Sequence, residues 1–310
     1  MNEIKLFTPA TVANVSCGFD VLGLCLDTVG DEMIIRKTVD KRVRITSVTG
    51  QENIPTNVRK NVAGIAALAL LKESNTSFGF EIEIHKKIKP GSGIGSSAAS
   101  AAGAVFGINK FLEQSFNTTD LVRFAMEGER LASGTAHADN VAPALFGGFT
   151  LVRGYDPLEV IKIPPPEHLF VTVIHPQIEI KTSAARAVLK PQVSLKKTVI
   201  QMGNFGGLIA GLYTQNYDLI GRSLHDEIAE PFRSVLIPSF DLLKTEVLKA
   251  GALGVGISGS GPSVFALSKG WETAYKVATS MEKVYKNTGI GFEIHISKIN
   301  QQGIKILQTK

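Results

Sequence analysis

Hydrophobic and polar positions along the chain switch between two periods, and the switches outline its elements. Residues 4–7, 32–36, 42–48 and 80–85 are short strand-like runs; Phe80-Glu81-Ile82-Glu83-Ile84-His85 alternates apolar and polar side chains. Residues 62–72, rich in Ala and Leu, predict a helix. A second helix is expected over 97–112, where small residues on most faces imply burial. A third is expected over 119–132, with Thr118 or Thr119 as its N-cap. Residues 145–152 read as a strand entered through a tight turn at Gly147-Gly148.

The run Ile163-Pro164-Pro165-Pro166-Glu167-His168 forbids either regular element and predicts a boundary. Beyond it the pattern predicts a strand at 169–174, a helix at 183–189 and helical stretches between 196 and 228. A helix at 239–250, strands at 254–257 and 263–268, a helix at 272–286 and a strand at 291–296 follow. Such alternation implies an α+β protein of two domains, residues 1–165 and 166–310.

Composition narrows the class. The 310 residues are 44% hydrophobic and 20% charged, as in a soluble globular protein. No apolar run reaches membrane-spanning length and the first residues lack signal-peptide character. Two cysteines, Cys17 and Cys25, are too few for a disulfide framework and fit a reducing cytoplasm. The net charge of +5 favours anionic ligands, but dispersed basic residues without an aromatic signature argue for a phosphorylated small molecule rather than nucleic acid.

The densest chemical signal is Lys89-Pro90-Gly91-Ser92-Gly93-Ile94-Gly95-Ser96-Ser97-Ala98-Ala99-Ser100, a glycine loop between the strand at 80–85 and the small-residue helix. Glycines let the backbone approach a ligand, and the N–H groups and dipole at a helix start attract anions. The loop therefore reads as a phosphate cradle, although it matches neither the Walker nor the dinucleotide pattern. Gly254-Val255-Gly256-Ile257-Ser258-Gly259 has dinucleotide spacing, but a strand follows where that fold needs a helix.

Other segments add polar groups. Thr8 to Gly23 crowds small and polar residues, with Asn14 and Asp20 suited to fixing hydroxyl or amino groups. A phosphate site calls for a divalent cation, for which Mg²⁺ needs few protein oxygens; a cradle serine and one glutamate of Glu127–Glu129 suffice. Arg186 and Arg233 can each hold a carboxylate or phosphate through two hydrogen bonds.

Taken together, three motifs resemble the GHMP kinases: Pro-Ala-Thr-Val-Ala-Asn from Pro9, Pro-Gly-Ser-Gly-Ile-Gly-Ser-Ser-Ala-Ala from Pro90, and Gly-Ile-Ser-Gly-Ser-Gly-Pro from Gly256. Four further stretches resemble the homoserine kinase branch: Pro9 through Gly23, His137 through Pro143, Lys181-Thr182-Ser183 with Arg186, and Arg233 with Leu236-Ile237-Pro238. The resemblance implies an N-terminal domain like domain 2 of ribosomal protein S5, a ferredoxin-like C-terminal domain, and an active site between them.

It further implies that Pro90 through Ser100 wrap the phosphates of ATP with Asn61 nearby, and that Ser97 and Glu129 hold Mg²⁺. Asn14, Asp20, His137, Arg186, Arg233 and Gly259 would hold the amino acid L-homoserine, and Thr182 would lie beside the transferring phosphate. Asn140 stands where several family members place an aspartate, so Asn14 and Asn140 are expected to align the hydroxyl, with Asp139 the weaker candidate for a base. A homodimer is the family's expectation. Two rival readings are a GHMP kinase for another small alcohol and an S5-like RNA-binding protein.

Overall fold

The computed structural model describes residues Met1–Lys310. In chain order the elements are β1 (Glu3–Ala13), β2 (Leu22–Thr38), β3 (Val43–Thr49), α1 (Val62–Glu73), β4 (Gly79–His85), α2 (Ser96–Phe111), α3 (Thr118–Ser133), α4 (Val141–Phe146), β5 (Phe149–Tyr155) and β6 (Leu158–Ile163). After the proline run come β7 (Leu169–Pro176), α5 (Thr182–Ala187), α6 (Leu195–Thr214), α7 (Tyr217–Ser223), α8 (Glu230–Arg233), α9 (Phe240–Lys249), β8 (Gly254–Ile257), β9 (Val264–Lys269), α10 (Trp271–Lys286), β10 (Phe292–Lys298) and β11 (Lys305–Thr309).

Two sheets result. The first runs β11-β1-β2-β4-β3, with β5 pairing the N-terminal end of β2 and β6 pairing β5. Helices α1, α2 and α3 pack around one another on this sheet. Small residues let α2 lie deep: Gly103 and Gly107 sit where an added methyl group would collide with Thr8, Met33, Leu6 and Ile35. The second sheet runs β10-β7-β9-β8, all antiparallel. With helices between β7 and β8 and between β9 and β10, that order is the ferredoxin-like β-α-β-β-α-β arrangement.

Strand alternation decides which core each side chain joins. On β7 and β9, Val171, Val173, Phe265 and Leu267 face one way and share a core with Val12, Leu22, Leu24 and Phe149 of the first sheet and Leu208 of α6. Ile174, Val264 and Ala266 face the other way, against Val247 of α9 and Val277 and Met281 of α10. The two sheets are thus joined by one apolar layer, and the cleft described below opens beside it.

Two local expectations change, and one strand has no counterpart in the sequence reading. Leu145 and Phe146 end helix α4 rather than begin a strand; the chain then turns through Gly147 and Gly148, both at positive φ, into β5. The cap of α3 is Asn117, which accepts from Asp120 N while the Asp120 carboxylate accepts from Asn117 N, so a capping box competes successfully against the threonines. After β10 the chain crosses back to the first sheet, where β11 pairs with β1 and closes its edge.

Candidate active site

A cleft of about 650 Å³ opens between the two sheets. Its floor is the loop from β4 to α2. Gly95 takes φ +72 at the N-cap of α2, and a side chain there would run into Thr11 Oγ1 at 2.1 Å. Gly93 takes φ +84, where an added Cβ would lie 2.6 Å from the Gly261 carbonyl. Only glycine satisfies both demands, left-handed backbone and contact with a neighbouring chain segment. The Ser96 hydroxyl donates to Ile88 O at 2.9 Å and closes the loop on itself.

Beneath the loop lies a buried ion pair. Lys86 Nζ donates to Asp31 Oδ2, to Ser96 O at 2.8 Å and to Ser100 Oγ at 3.1 Å, so its three protons are all used. Asp31 Oδ1 accepts from Lys87 N and Ile88 N at 2.7 and 2.8 Å. Burial pulls the Lys86 ammonium below its usual range, opposed by the Asp31 charge. The pair bolts the end of β4 to β2 and to the first turn of α2.

Two distant segments clasp the same loop. The Ser258 hydroxyl donates to Gly93 O at 2.7 Å, and Thr11 N donates to Ile94 O at 3.1 Å. Asn14, Val15 and Ser16 turn through φ +68, +42 and +61, a left-handed turn that is costly for the β-branched Val15. It leaves Asn14 Nδ2 donating to Gly259 O at 2.9 Å and Asn14 Oδ1 accepting from Asp20 N at 3.0 Å. Asn14 thereby ties two loops together, while its second N–H stays available on the cleft that it lines. Asn140 is held differently: Thr11 Oγ1 donates to Asn140 Oδ1 at 2.7 Å, which directs the amide nitrogen away from Thr11.

At the opposite end stand the charged side chains. Arg186 NH2 donates to both oxygens of Asp20, at 2.9 and 3.0 Å, and lies 3.2 Å from His137 Nε2. Arg233 is buried: its Nε donates to Ala185 O and its NH1 to Gly259 O, while its guanidinium lies over the Phe19 ring, 5.2 Å from the centroid. Burial lowers both Arg233 and His137 from their ordinary values.

Burial also acts on two acids in the cleft. Glu129 is pushed up to about 7 by desolvation, partly offset by the Ser97 hydroxyl and the charge on Lys86. Its Oε1 is buried without a hydrogen-bond partner. Asp139 is pushed up to about 7, again by desolvation first, with the charges of Asp20 and Glu129 adding to it. No three or more His, Cys, Asp or Glu side chains converge closely enough to hold a metal ion by themselves.

The cleft brings together Asn14, Asp20, Asn61, Pro90, Gly91, Gly93, Gly95, Ser96, Ser97 and Ser100 with Glu129, His137, Asn140, Thr182, Arg186, Arg233 and Gly259. Four residues of the cradle sequence do not line it: Ser92, Ile94, Ala98 and Ala99 are buried, Ile94, Ala98 and Ala99 among core side chains. Alternate residues of the turn and of the first helical turn must face inward if the loop is to be anchored. Asn61 lines the cleft, yet its side chain caps α1, accepting from Ala63 N at 2.9 Å and donating to Pro55 O at 2.8 Å.

Sequence reasoning missed Lys86, Asp31 and Thr11 as parts of the site. Lys86 follows the strand ahead of the cradle and Thr11 lies inside the first motif, but their partners are 55 and 129 residues away. Glu179, whose Cγ lies 3.1 Å from the place a Gly91 side chain would begin, carried no sequence signal.

Comparison with known proteins is consistent along the whole chain. The profile of the GHMP kinases N terminal domain matches residues 60–148, and that of the GHMP kinases C terminal matches residues 208–287. The homoserine kinase of Chlorobium phaeobacteroides (strain BS1) is 44% identical over 320 residues, covering 99% of this chain and 100% of that protein. The homoserine kinase of Methanococcus vannielii is 40% identical, covering 96% and 100%. The crystal structure of homoserine kinase from Cytophaga hutchinsonii superposes with a TM-score of 0.95 at 52% identity, covering 99% of this chain and 98% of that one.

Proposed function

The chain belongs to the GHMP kinase family, and on that premise we propose that it transfers the γ-phosphoryl group of ATP to the side-chain hydroxyl of L-homoserine, on the route to threonine. The observation that carries the substrate choice is the end of the cleft built from Asp20, Arg186 and Arg233. A zwitterionic amino acid offers one carboxylate and one ammonium, and this end offers two guanidiniums and one carboxylate. The buried Arg233 suits the substrate carboxylate, and Asp20 suits the ammonium. A neutral alcohol such as galactose leaves Arg233 desolvated without an anion.

At the other end, the N–H groups at the start of α2 and the glycine loop favour the triphosphate of ATP. The donors beside it fit Mg²⁺: a buried carboxylate oxygen of Glu129 without a partner, and the hydroxyl of Ser97. Hard oxygen donors few in number are what Mg²⁺ takes when phosphates complete its shell. When bound, the ion neutralises charge on the phosphates.

In the reaction a bond forms between the homoserine oxygen and the γ-phosphorus, the bond from that phosphorus to the ADP oxygen breaks, and the hydroxyl proton leaves. Such transfers depend mainly on alignment and on stabilising the charge of a loose transition state. Asn14 and Asn140, the latter held by Thr11, are the aligning side chains, with Thr182 at the start of α5 beside the transferring phosphate. Asp139, next to Asn140 and pushed up to about 7, is able to take the proton at neutral pH.

The reading extends to a cytoplasmic homodimer. Cys17 and Cys25, buried and unpaired, support a reducing compartment, and no helix is long and apolar enough to cross a membrane. The test is ADP release from Mg-ATP with homoserine, mevalonate, galactose or shikimate as acceptor. Turnover is expected with homoserine, and turnover with another alcohol but none with homoserine sinks the assignment.

A further inference from the structure

Phe19 sits in the turn between β1 and β2, and no apolar core takes its ring. The residue is half-buried, joins none of the three clusters of buried apolar side chains, and pairs with no other aromatic ring. A phenylalanine ordinarily stabilises a fold by core burial. This one meets charge instead. Arg233 Cζ lies over the ring at 5.2 Å from its centroid, and Arg186 Cζ at 5.7 Å. Every other ring that faces a cation faces only one.

The turn fixes the ring in place. Gly18 O accepts from Val21 N at 3.1 Å and from Leu22 N at 2.9 Å, and Asp20 N donates to Asn14 Oδ1 at 3.0 Å. Both peptide groups flanking Phe19 are therefore held. Phe19 itself does not line the cleft, so it reaches a ligand there only through the arginines.

Those arginines come from α5 and α8, in the other half of the chain, and their like charges oppose each other. The Arg186 charge is one cause, after burial, of the lowering of Arg233. The negative face of an aromatic ring offsets such repulsion. A ring contact also claims no N–H group. Arg233 spends Nε and NH1 on the carbonyls of Ala185 and Gly259, and Arg186 spends NH2 on Asp20. Arg233 NH2, with Arg186 Nε and NH1, makes no hydrogen bond within the chain and stays available. A polar side chain in place of Phe19 would draw those donors to itself.

We infer that Phe19 is a positioning residue for the amino-acid substrate: its ring holds the Arg186 and Arg233 guanidiniums together, so that both present N–H groups to one carboxylate. The inference rests on the reading of this end of the cleft as the amino-acid site. It assigns part of the substrate's affinity to a side chain that touches no substrate.

The test is steady-state kinetics of the full-length protein with Mg-ATP and homoserine. Phe19→Leu keeps apolar bulk and removes the π face, so KM for homoserine should rise about tenfold while kcat and KM for ATP stay nearly unchanged. Phe19→Tyr keeps the face and should return KM to within about twofold of the unsubstituted protein. Fluorinated phenylalanines at position 19 drain the negative face stepwise with little change of shape, and KM for homoserine should climb with each fluorine. That series also serves where Phe19→Leu fails to fold. A merely structural ring would lower Tm or raise both KM values together, and would ignore the fluorine count. Turnover of homoserine by the unsubstituted protein is measured first, and its absence removes the reading of the site and the inference with it. Turnover with a homoserine KM unmoved by Phe19→Leu, or indifferent to fluorination, overturns the role of Phe19 alone.

Discussion

The two ends of the cleft are built on opposite principles. At the proposed phosphate end the working groups belong to the backbone: a loop bent by Gly93 and Gly95, the first turn of α2, and a buried Lys86–Asp31 pair underneath whose polar atoms are consumed internally. At the proposed amino-acid end they belong to side chains, with Asp20, His137, Arg186 and Arg233 arriving from four separated segments. Triphosphate recognition asks mainly for charge and for close approach, which a short local sequence can provide. Telling one small alcohol from another asks for several groups at fixed distances, which only a convergence of segments provides.

The sharpest way to break this contrast is to attack the support of the phosphate end. Lys86→Met leaves the Asp31 carboxylate buried without its partner. The expected loss is about 3–5 kcal/mol of stability, roughly ten degrees in Tm by calorimetry. Adding Asp31→Asn should restore part of it, since the amide oxygen still serves the two N–H groups. A Tm unchanged by Lys86→Met shows that the pair carries no structural weight.

The complementary attack is on Arg233. Its truncation to alanine should raise KM for homoserine about thirtyfold or more, with KM for ATP nearly unchanged, because a buried hydrogen-bonded charge pair loses about 2–5 kcal/mol when cut. Equal effects on both substrates, in steady-state kinetics, would erase the division between the ends.

Between them, Asp139 and Glu129 couple the site to pH. Both carboxyls sit at about 7 because burial disfavours their charged forms. Relative to the unfolded chain, the folded protein holds extra protons between roughly pH 4 and 7. The stabilising contribution of each carboxyl is therefore complete at acid pH and is lost as pH rises through 7. The Tm of Asp139→Asn relative to the unsubstituted protein should climb between pH 5 and 8, and a flat difference contradicts the raised value. The same substitution decides the proton acceptor: near-normal turnover in Asp139→Asn removes Asp139 from that role.

The mildest perturbation is Thr11→Val, which removes a single hydrogen bond to Asn140 and keeps the shape. A fall in kcat of up to about tenfold, with KM for both substrates held and recovery in Thr11→Ser, marks Thr11 as a positioning residue. A change in KM alone would assign it to binding instead.

Much of this was readable from the chain. The glycine loop, the small-residue helix after it and the switch of pattern at the proline run are local properties, set by φ and by side-chain size within a few residues. The same holds for the strands and helices of the second sheet. Leu145 and Phe146 misled because two apolar residues before a glycine pair suit a helix end as well as a strand start. The return of β11 to β1 left no mark, since an edge strand is chosen by which edge is open.

By itself the sequence determined where backbone could bend and where helices could start, and it pointed to a helix N-terminus as the place for an anion. Only the tertiary structure decided that Lys86 is spent on Asp31, that Thr11 holds the Asn140 amide, and that the Asn14 amide bridges Gly259 and Asp20. It also decided that Arg186 and Arg233 share one wall with Asp20. These pairings join residues 6 to 245 positions apart. Hydrogen bonds and ion pairs act over a few ångströms, so across such separations the packing of the two sheets, and no local pattern, selects the partners.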